Sequence, residues 1–137
     1  MRVLLINPGI DTARLFGKFG PLMEPMPCIG LAYIAAVLEK AGHQVKAIDD
    51  FAVGVGLEGI LKEISEFRPE VVGISCLTPS AKSSHVIAQE IKQRHPQIKI
   101  VFGNLHATLF GRDLSERGIA DAVVCGEGEE TIVELVK

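Results

Sequence analysis

The chain has 137 residues, 47% of them hydrophobic and 23% charged, the make-up of one globular domain. At this length roughly two-thirds of the unfolded surface is buried on folding, enough for a full core. The net charge of −3 argues against a nucleic-acid partner, which would favour a basic face, and no apolar run approaches the roughly 20 residues of a membrane span.

Arg2–Asn7 reads as a first strand, because the apolar run stops at Asn7-Pro8-Gly9, too soon for a signal peptide. Pro8 to Pro27 follows with no clear element and much Pro and Gly. A connection that long in a compact domain reads as a functional flap or as a mobile surface loop, and the first reading is favoured. Ile29–Lys40 is a helix with Leu31, Ile34, Ala35 and Leu38 on one face and Gly42 beyond its end. Gln44–Asp49 is a second strand, whose closing Asp49 and Asp50 read as a solvated strand end. Gly56–Phe67 is a helix with Leu57, Ile60, Leu61 and Ile64 at helical spacing, stopped by Pro69. Glu70–Ser75 is a third strand. Ser80–Arg94 is a helix with Ala81, Val86, Ile87 and Ile91 as its apolar face. Ile98–Phe102 is a fourth strand, Ala107–Arg117 a short helix, Asp121–Cys125 a fifth strand and Glu127–Val136 a last helical pattern. Apolar strands alternating with helices predict an α/β fold: a flavodoxin-like, doubly wound, five-stranded parallel sheet of order 2-1-3-4-5 with helices on both faces.

The third and fourth strands both end in small residues, Ser75-Cys76-Leu77-Thr78-Pro79-Ser80 and Gly103-Asn104-Leu105-His106-Ala107-Thr108. That leaves a slot at the carboxyl edge, where open α/β sheets bind ligands. Ser, Thr and Gly with little charge suit a large, nearly neutral ligand rather than a phosphate. The first turn, Asn7-Pro8-Gly9-Ile10-Asp11, lacks the glycine pattern of a dinucleotide site, and there is no P-loop. A phospho-receiver would need Asp where Ser75 stands and Lys where Cys125 stands. Cys28, Cys76 and Cys125 are too far apart for a disulfide framework or a zinc site, so half-buried reduced thiols in a cytoplasmic protein are expected.

Taken together, these residues carry a resemblance. Ser75-Cys76-Leu77 matches the Ser-x-Leu element after strand three of cobalamin-binding domains, and Gly103-Asn104 stands where those domains have Gly-Gly. With Asn7-Pro8, Pro27 to Leu38, Gly42-His43 and Gly126-Glu127-Gly128-Glu129 in order, nearly the whole chain resembles the N-terminal cobalamin-binding domain of B12-dependent radical SAM proteins. Two departures stand out. Asp11 to Gly17 has Ala13 where other cobalamin domains have a cobalt-ligating His, and Asn104 replaces the second glycine.

The resemblance implies a cobalamin-binding module, with no catalytic and no metal-ligating residue of its own. Its cofactor-binding residues would be Ile10 and Asp11 on the flap, then Ser75, Leu77, Thr78 and Ser80. Gly103, Asn104, His106 and Ala107 would follow, and Gly126, Glu127, Gly128 and Glu129 complete the set. Ser75, Thr78, Gly103 and Ala107 would wall a groove for the nucleotide tail. Each has a plainer reading: Ser75 bonding its own backbone, Gly103 turning the chain, His106 capping or packing, the acids complementing a helix N-terminus. The lower face of cobalt would lack both base and His. Also implied are a downstream radical SAM domain with a [4Fe-4S] cluster and S-adenosylmethionine, and methyltransferase-like chemistry. The three cysteines do not supply the Cys-x-x-x-Cys-x-x-Cys motif of such a cluster, and the sequence ends at Lys137 within a helical pattern, so residues 1–137 read as part of a longer enzyme or as a stand-alone carrier, and the first reading is favoured. The partners expected are cobalamin and that domain, with neither nucleic acid nor membrane. The alternative is a flavodoxin-like domain that binds a nucleotide or another protein without cobalamin.

Overall fold

The computed structural model describes all residues from Met1 to Lys137. Five parallel strands form one sheet: β1 (Arg2–Asn7), β2 (Gln44–Asp49), β3 (Val71–Ser75), β4 (Lys99–Gly103) and β5 (Ala122–Val123), in the order β2-β1-β3-β4-β5. This is the expected flavodoxin-like order. The helices are α1 (Thr12–Phe16), α2 (Ile29–Lys40), α3 (Asp50–Val53), α4 (Gly56–Phe67), α5 (Ala81–Arg94), α6 (Asn104–Glu116) and α7 (Glu129–Leu135).

Side chains alternate across each strand, so the sheet has two unlike faces. One carries Leu4, Ile6, Val72, Ile74, Ile100 and Phe102, packed against Ile60 and Ile64 of α4, Ile87 and Ile91 of α5, and Leu114 of α6. The other carries Val3, Leu5, Val71 and Val101 under Leu31 and Leu38 of α2 and Ile132 of α7. Register aligns Leu5 with Gly73 and Gly73 with Val101, and aligns Ser75 with Gly103. The second face therefore runs short of side chain toward the carboxyl edge, where Gly73, Ser75 and Gly103 stand.

Four expectations change. On α5 the buried face is Ser84, Ile87, Ala88 and Ile91, and Val86 is exposed, because position 84 rather than 86 is one turn from 87 and 88. Ser84 is tolerated there because its hydroxyl donates to the Ser80 carbonyl at 2.8 Å. The last crossover helix begins at Asn104, not Ala107, and kinks at Phe110 (φ −117°, ψ 17°). Next to that kink Gly111 lets α6 lie on β5, since a Cβ there would stand 2.9 Å from Val123 Cγ1. The expected fifth strand from Asp121 to Cys125 shrinks to two residues.

The fourth change concerns the long connection and the paired acids. Residues 8–27 contain α1, capped by the Asp11 carboxylate accepting from Arg14 N–H at 2.9 Å, and a 3-10 helix over Gly17–Leu22. Asp49 and Asp50 are not a loose strand end. Asp49 accepts from Asn7 Nδ2 at 2.8 Å and from Cys28 N–H at 3.0 Å, one partner at each end of the connection. Asp50 accepts from Gly9 N–H at 3.2 Å and Gly56 N–H at 2.7 Å.

At the opposite edge Asp121 fastens β5 to its neighbours. Its carboxylate accepts from Ile100 N–H at 2.7 Å and from the Lys92 ammonium, with Lys99 Nζ 3.8 Å away. Burial would raise its pKa, but the hydrogen bonds from Lys92 and Ile100 and the charges of Lys92 and Lys99 outweigh that, so the carboxyl titrates below its ordinary range. A depressed pKa contributes stability above the unfolded value, near 3.9, and that stability is lost as pH falls through the folded value. Asp121→Asn is expected to flatten the melting temperature's fall below about pH 4, measured by thermal melts across pH. An unchanged acid limb would remove Asp121 from the acid sensitivity of the fold.

Candidate functional site

The side chains missing from the second face of the sheet leave a cavity of about 240 Å³ at the carboxyl edge. Its floor is the aligned row Leu5, Gly73 and Val101, its rim is Ser75, Gly103 and Asn104, and its far wall is Gly30, Leu31 and Ile34 of α2 with Ile132 of α7. Two absent side chains create the volume. A Cβ on Gly103 or on Gly30 would meet nothing within 4 Å. Gly73 is different: a Cβ there would lie 2.8 Å from Leu5 Cδ2, so Leu5 leans over the glycine and roofs the floor with hydrocarbon.

The rim is polar and already bonded. Asn104 holds φ at 77°, a left-handed value that Asn tolerates better than most residues. Its Nδ2 donates to Ser75 Oγ at 3.0 Å, and its Oδ1 accepts from Leu105 N–H at 2.7 Å. The chain after β5 completes the mouth. Gly126 (φ 71°) donates its N–H to Thr108 Oγ1 at 3.2 Å. Gly128 brings the start of α7 against α2, since a Cβ there would stand 3.3 Å from Ile34 Cδ1. Glu127 and Glu129 add carboxylates at this rim.

The expected binding residues thus separate. Ser75, Gly103, Asn104, Gly126, Glu127, Gly128 and Glu129 meet in this one cavity. Thr78 and Ala107, expected as walls of the same slot, lie elsewhere. Beyond Ser75 the chain crosses the top of the sheet through buried Cys76 to reach α5 on the opposite side, and it carries Thr78 with it. Thr78 shares a second cavity, of about 610 Å³, with Asp11, Arg14, Lys82 and Ser83. Ala107 is fully buried in the core beneath α6. Ser80 is also buried; its hydroxyl donates to the Leu77 carbonyl and accepts from Leu77 N–H, both at 3.1 Å. Ile10 faces a third space, of about 340 Å³, with Thr12, Met23 and Pro25. Leu77 stands exposed on the crest between the two cavities.

His106 packs as its plainer reading expected. Its Nδ1 is 3.2 Å from Thr78 Oγ1, and its ring lies 4.6 Å from that of Phe110. His85 is 6.3 Å from His106 between ring centres, and its Nε2 is buried with no partner. Burial lowers the His85 pKa, the charges of Arg117 and His106 lower it further, and Asp113 opposes them. Cys28 is half-buried at the cavity, and Cys125 is exposed. Cys76, expected to be half-buried, is fully buried, which pushes its thiol pKa up and leaves it unreactive against only a weak opposing hydrogen bond from Ser84. No group of three or more His, Cys, Asp or Glu side chains is arranged to hold a metal ion.

Sequence reasoning missed the floor and the helical wall: Leu5, Gly30, Leu31, Ile34, Gly73 and Val101. One signal was present. Gly73 interrupts an otherwise bulky buried strand, a mark of close approach by a ligand or another chain segment. The cavity pairs an apolar interior with a polar rim at the carboxyl edge.

Among known protein families, the model of the B12 binding domain family matches residues 22–136. The chain is 36% identical over 140 residues to the uncharacterized methyltransferase PH0819 of Pyrococcus horikoshii, covering 99% of this chain and 29% of that protein. It is 36% identical over 150 residues to the cytidylyl-2-hydroxyethylphosphonate methyltransferase of Streptomyces wedmorensis, covering 96% of this chain and 27% of that protein. It therefore spans less than a third of the length of these relatives. Among solved structures, the cobalamin-dependent S-adenosylmethionine radical enzyme OxsB, with aqua-cobalamin and S-adenosylmethionine bound, superposes with a TM-score of 0.81. That match is at 22% identity and covers 99% of this chain and 18% of that one, a likeness of fold.

Proposed function

The chain belongs to the B12-binding domain family, and from that premise we propose that it holds cobalamin at the carboxyl edge of the sheet, with the nucleotide tail in the cavity beneath α2 and α7. The observation that carries this placement is the run of small residues Gly73, Ser75 and Gly103 on that face alone, while Ile74 and Phe102 fill the other. The corrin ring then lies across the crest, over Leu77, Thr78 and His106, with Ile10 and Asp11 on the flap beside it. Its neutral amides meet the Thr78 hydroxyl there. Ser80 and Ala107 support the crest from beneath.

Bound there, the cofactor supplies cobalt-centred reactivity that the protein orients. The parent is a B12-dependent radical SAM enzyme of methyltransferase type, in which a downstream domain carries a [4Fe-4S] cluster and S-adenosylmethionine. The names of the relatives support this reading. So do large apolar side chains left in solvent on the 8–27 connection and on α6, with Leu22 74% exposed, Met26 76% and Leu109 65%. Three free thiols suit a cytoplasmic location.

Titration with hydroxocobalamin followed by gel filtration tests the placement, with Ser75→Leu as the informative variant. The leucine enters a packed groove, whereas the lost Asn104 hydrogen bond costs about 1 kcal/mol. Affinity is expected to fall by at least about tenfold while stability falls by no more than about 1 kcal/mol. A variant losing stability but not affinity would return Ser75 to the core.

The lower position of cobalt carries no protein histidine in this reading. His43 lies at the amino edge, 3.4 Å from the Met1 amino group, and His95 ends α5 at that same edge. The flap contains none, His85 lies a turn inside α5 with its ring edge-on to Phe102, and His106 is engaged by Thr78 and Phe110. The cob(II)alamin form is expected to show no nitrogen superhyperfine splitting in electron paramagnetic resonance. A splitting that vanishes in His106→Ala would make His106 the ligand.

A further inference from the structure

The depth profile of the cavity says which corrinoids it will take. Leu5 and Val101 floor it, and Leu31, Ile34, Val124 and Ile132 wall it. Every polar side chain that borders it sits at the mouth: Ser75 and Asn104 at the strand ends, Cys28 before α2, and Glu127 and Glu129 around the start of α7. Ser75 and Asn104 are already bonded to each other, and the Asn104 side-chain Oδ1 accepts from Leu105 N–H. The backbone of the floor residues is engaged in the parallel ladder that aligns Leu5, Gly73 and Val101. An inserted ring therefore finds hydrogen-bond partners only at its near edge.

We propose that this groove selects corrinoids by the polarity of the lower base, taking benzimidazoles and discriminating against purines. The inference rests on the reading that the tail occupies the cavity. A benzimidazole presents only carbon–hydrogen or methyl groups at its distal edge, and these replace water against Leu5, Leu31 and Val101 favourably. An adenine presents ring nitrogens and an exocyclic amine there. Those groups leave water and gain nothing, the penalty attached to any buried, unpartnered polar group. Leu5 sharpens the effect, because its side chain leans over Gly73 and covers the floor there with hydrocarbon.

Three corrinoids measured on the unaltered protein test this, with dissociation constants read from the cobalt-corrin absorbance spectrum: cobalamin, its adenine-based analogue, and cobinamide, which has no nucleotide. Cobalamin is expected to bind at least about tenfold more tightly than the adenine analogue, with cobinamide also weak. Equal affinity for cobalamin and the adenine analogue, with cobinamide weak, overturns the selectivity and leaves the tail site standing. Cobinamide binding as tightly as cobalamin overturns the tail site and the selectivity with it, as does a failure of all three to bind.

Discussion

Replacing Gly103 with tryptophan is expected to abolish cobalamin retention while the chain stays folded. Gly103 closes β4 with φ −139° and ψ −176°, extended backbone that any residue adopts, so the substitution carries no strain. A Cβ there meets nothing within 4 Å, and the space it enters is the cavity of about 240 Å³. An indole fills much of that volume without displacing a core side chain. Stability should change by no more than about 0.5 kcal/mol, whereas uptake on gel filtration should fall below detection. Circular dichroism checks the fold, and normal retention by a folded variant would sink the assignment of the groove. Gly103→Ala supplies the graded control: it places one methyl group in the same space and is expected to weaken binding only modestly.

A second large effect is expected at Asp49, on stability rather than on the groove. This carboxylate holds Asn7 at the end of β1 and Cys28 N–H at the start of α2, so it ties both ends of the connection across residues 8–27 to the end of β2. Asp49→Ala leaves two donors without their partner in a half-buried place. Hydrogen bonds to a charged acceptor contribute about 1.5–3 kcal/mol, and a loss of that size should appear as a lower denaturation midpoint at unchanged slope. Cobalamin affinity should fall as well, because α2 forms one wall of the groove. A change below about 0.5 kcal/mol would restore the reading of Asp49 as a solvated strand end.

The contrast between these residues shows where sequence is readable. Strand order follows from apolar runs alternating with helical spacing, because each buried parallel strand must be hydrophobic on both sides. Ser75 and Gly103 could be found because they end such runs. Their floor could not be assembled in the same way, since Leu5, Leu31 and Val101 look like any core residue until register sets Gly73 between Leu5 and Val101. Thr78 looked like a neighbour of Ser75, three positions away, yet the crossover carries it to the other side of the sheet. Asp49 and Asp50 were misread for a related reason. Three of their four partners, Asn7, Gly9 and Cys28, lie 42, 41 and 21 residues away, and no local pattern marks a carboxylate that will accept hydrogen bonds from so distant a segment. Helix α6 begins three residues before its periodicity shows, because Asn104 makes the turn itself.

The brevity of β5 has a kinetic consequence. Two register pairs, Val101 with Ala122 and Phe102 with Val123, join it to the sheet, flanked by hydrogen bonds from Asp121 N–H to the Ile100 carbonyl and from Val124 N–H to the Phe102 carbonyl, yet the segment that follows it forms one wall of the groove. The cooperative units of a fold open in order of how little holds them, and a two-residue strand sits at the low end of that scale. The β5–α7 segment is therefore expected to exchange its amide hydrogens before β1, β3 and β4, in openings that lift Val124, Ile132 and Val136 off the core. A tail too bulky to thread a fixed slot would then be admitted by that excursion and trapped when the segment returns. Corrinoid association would be limited by the opening rate rather than by diffusion, and the bound cofactor would slow exchange in residues 122–136 more than anywhere else in the chain.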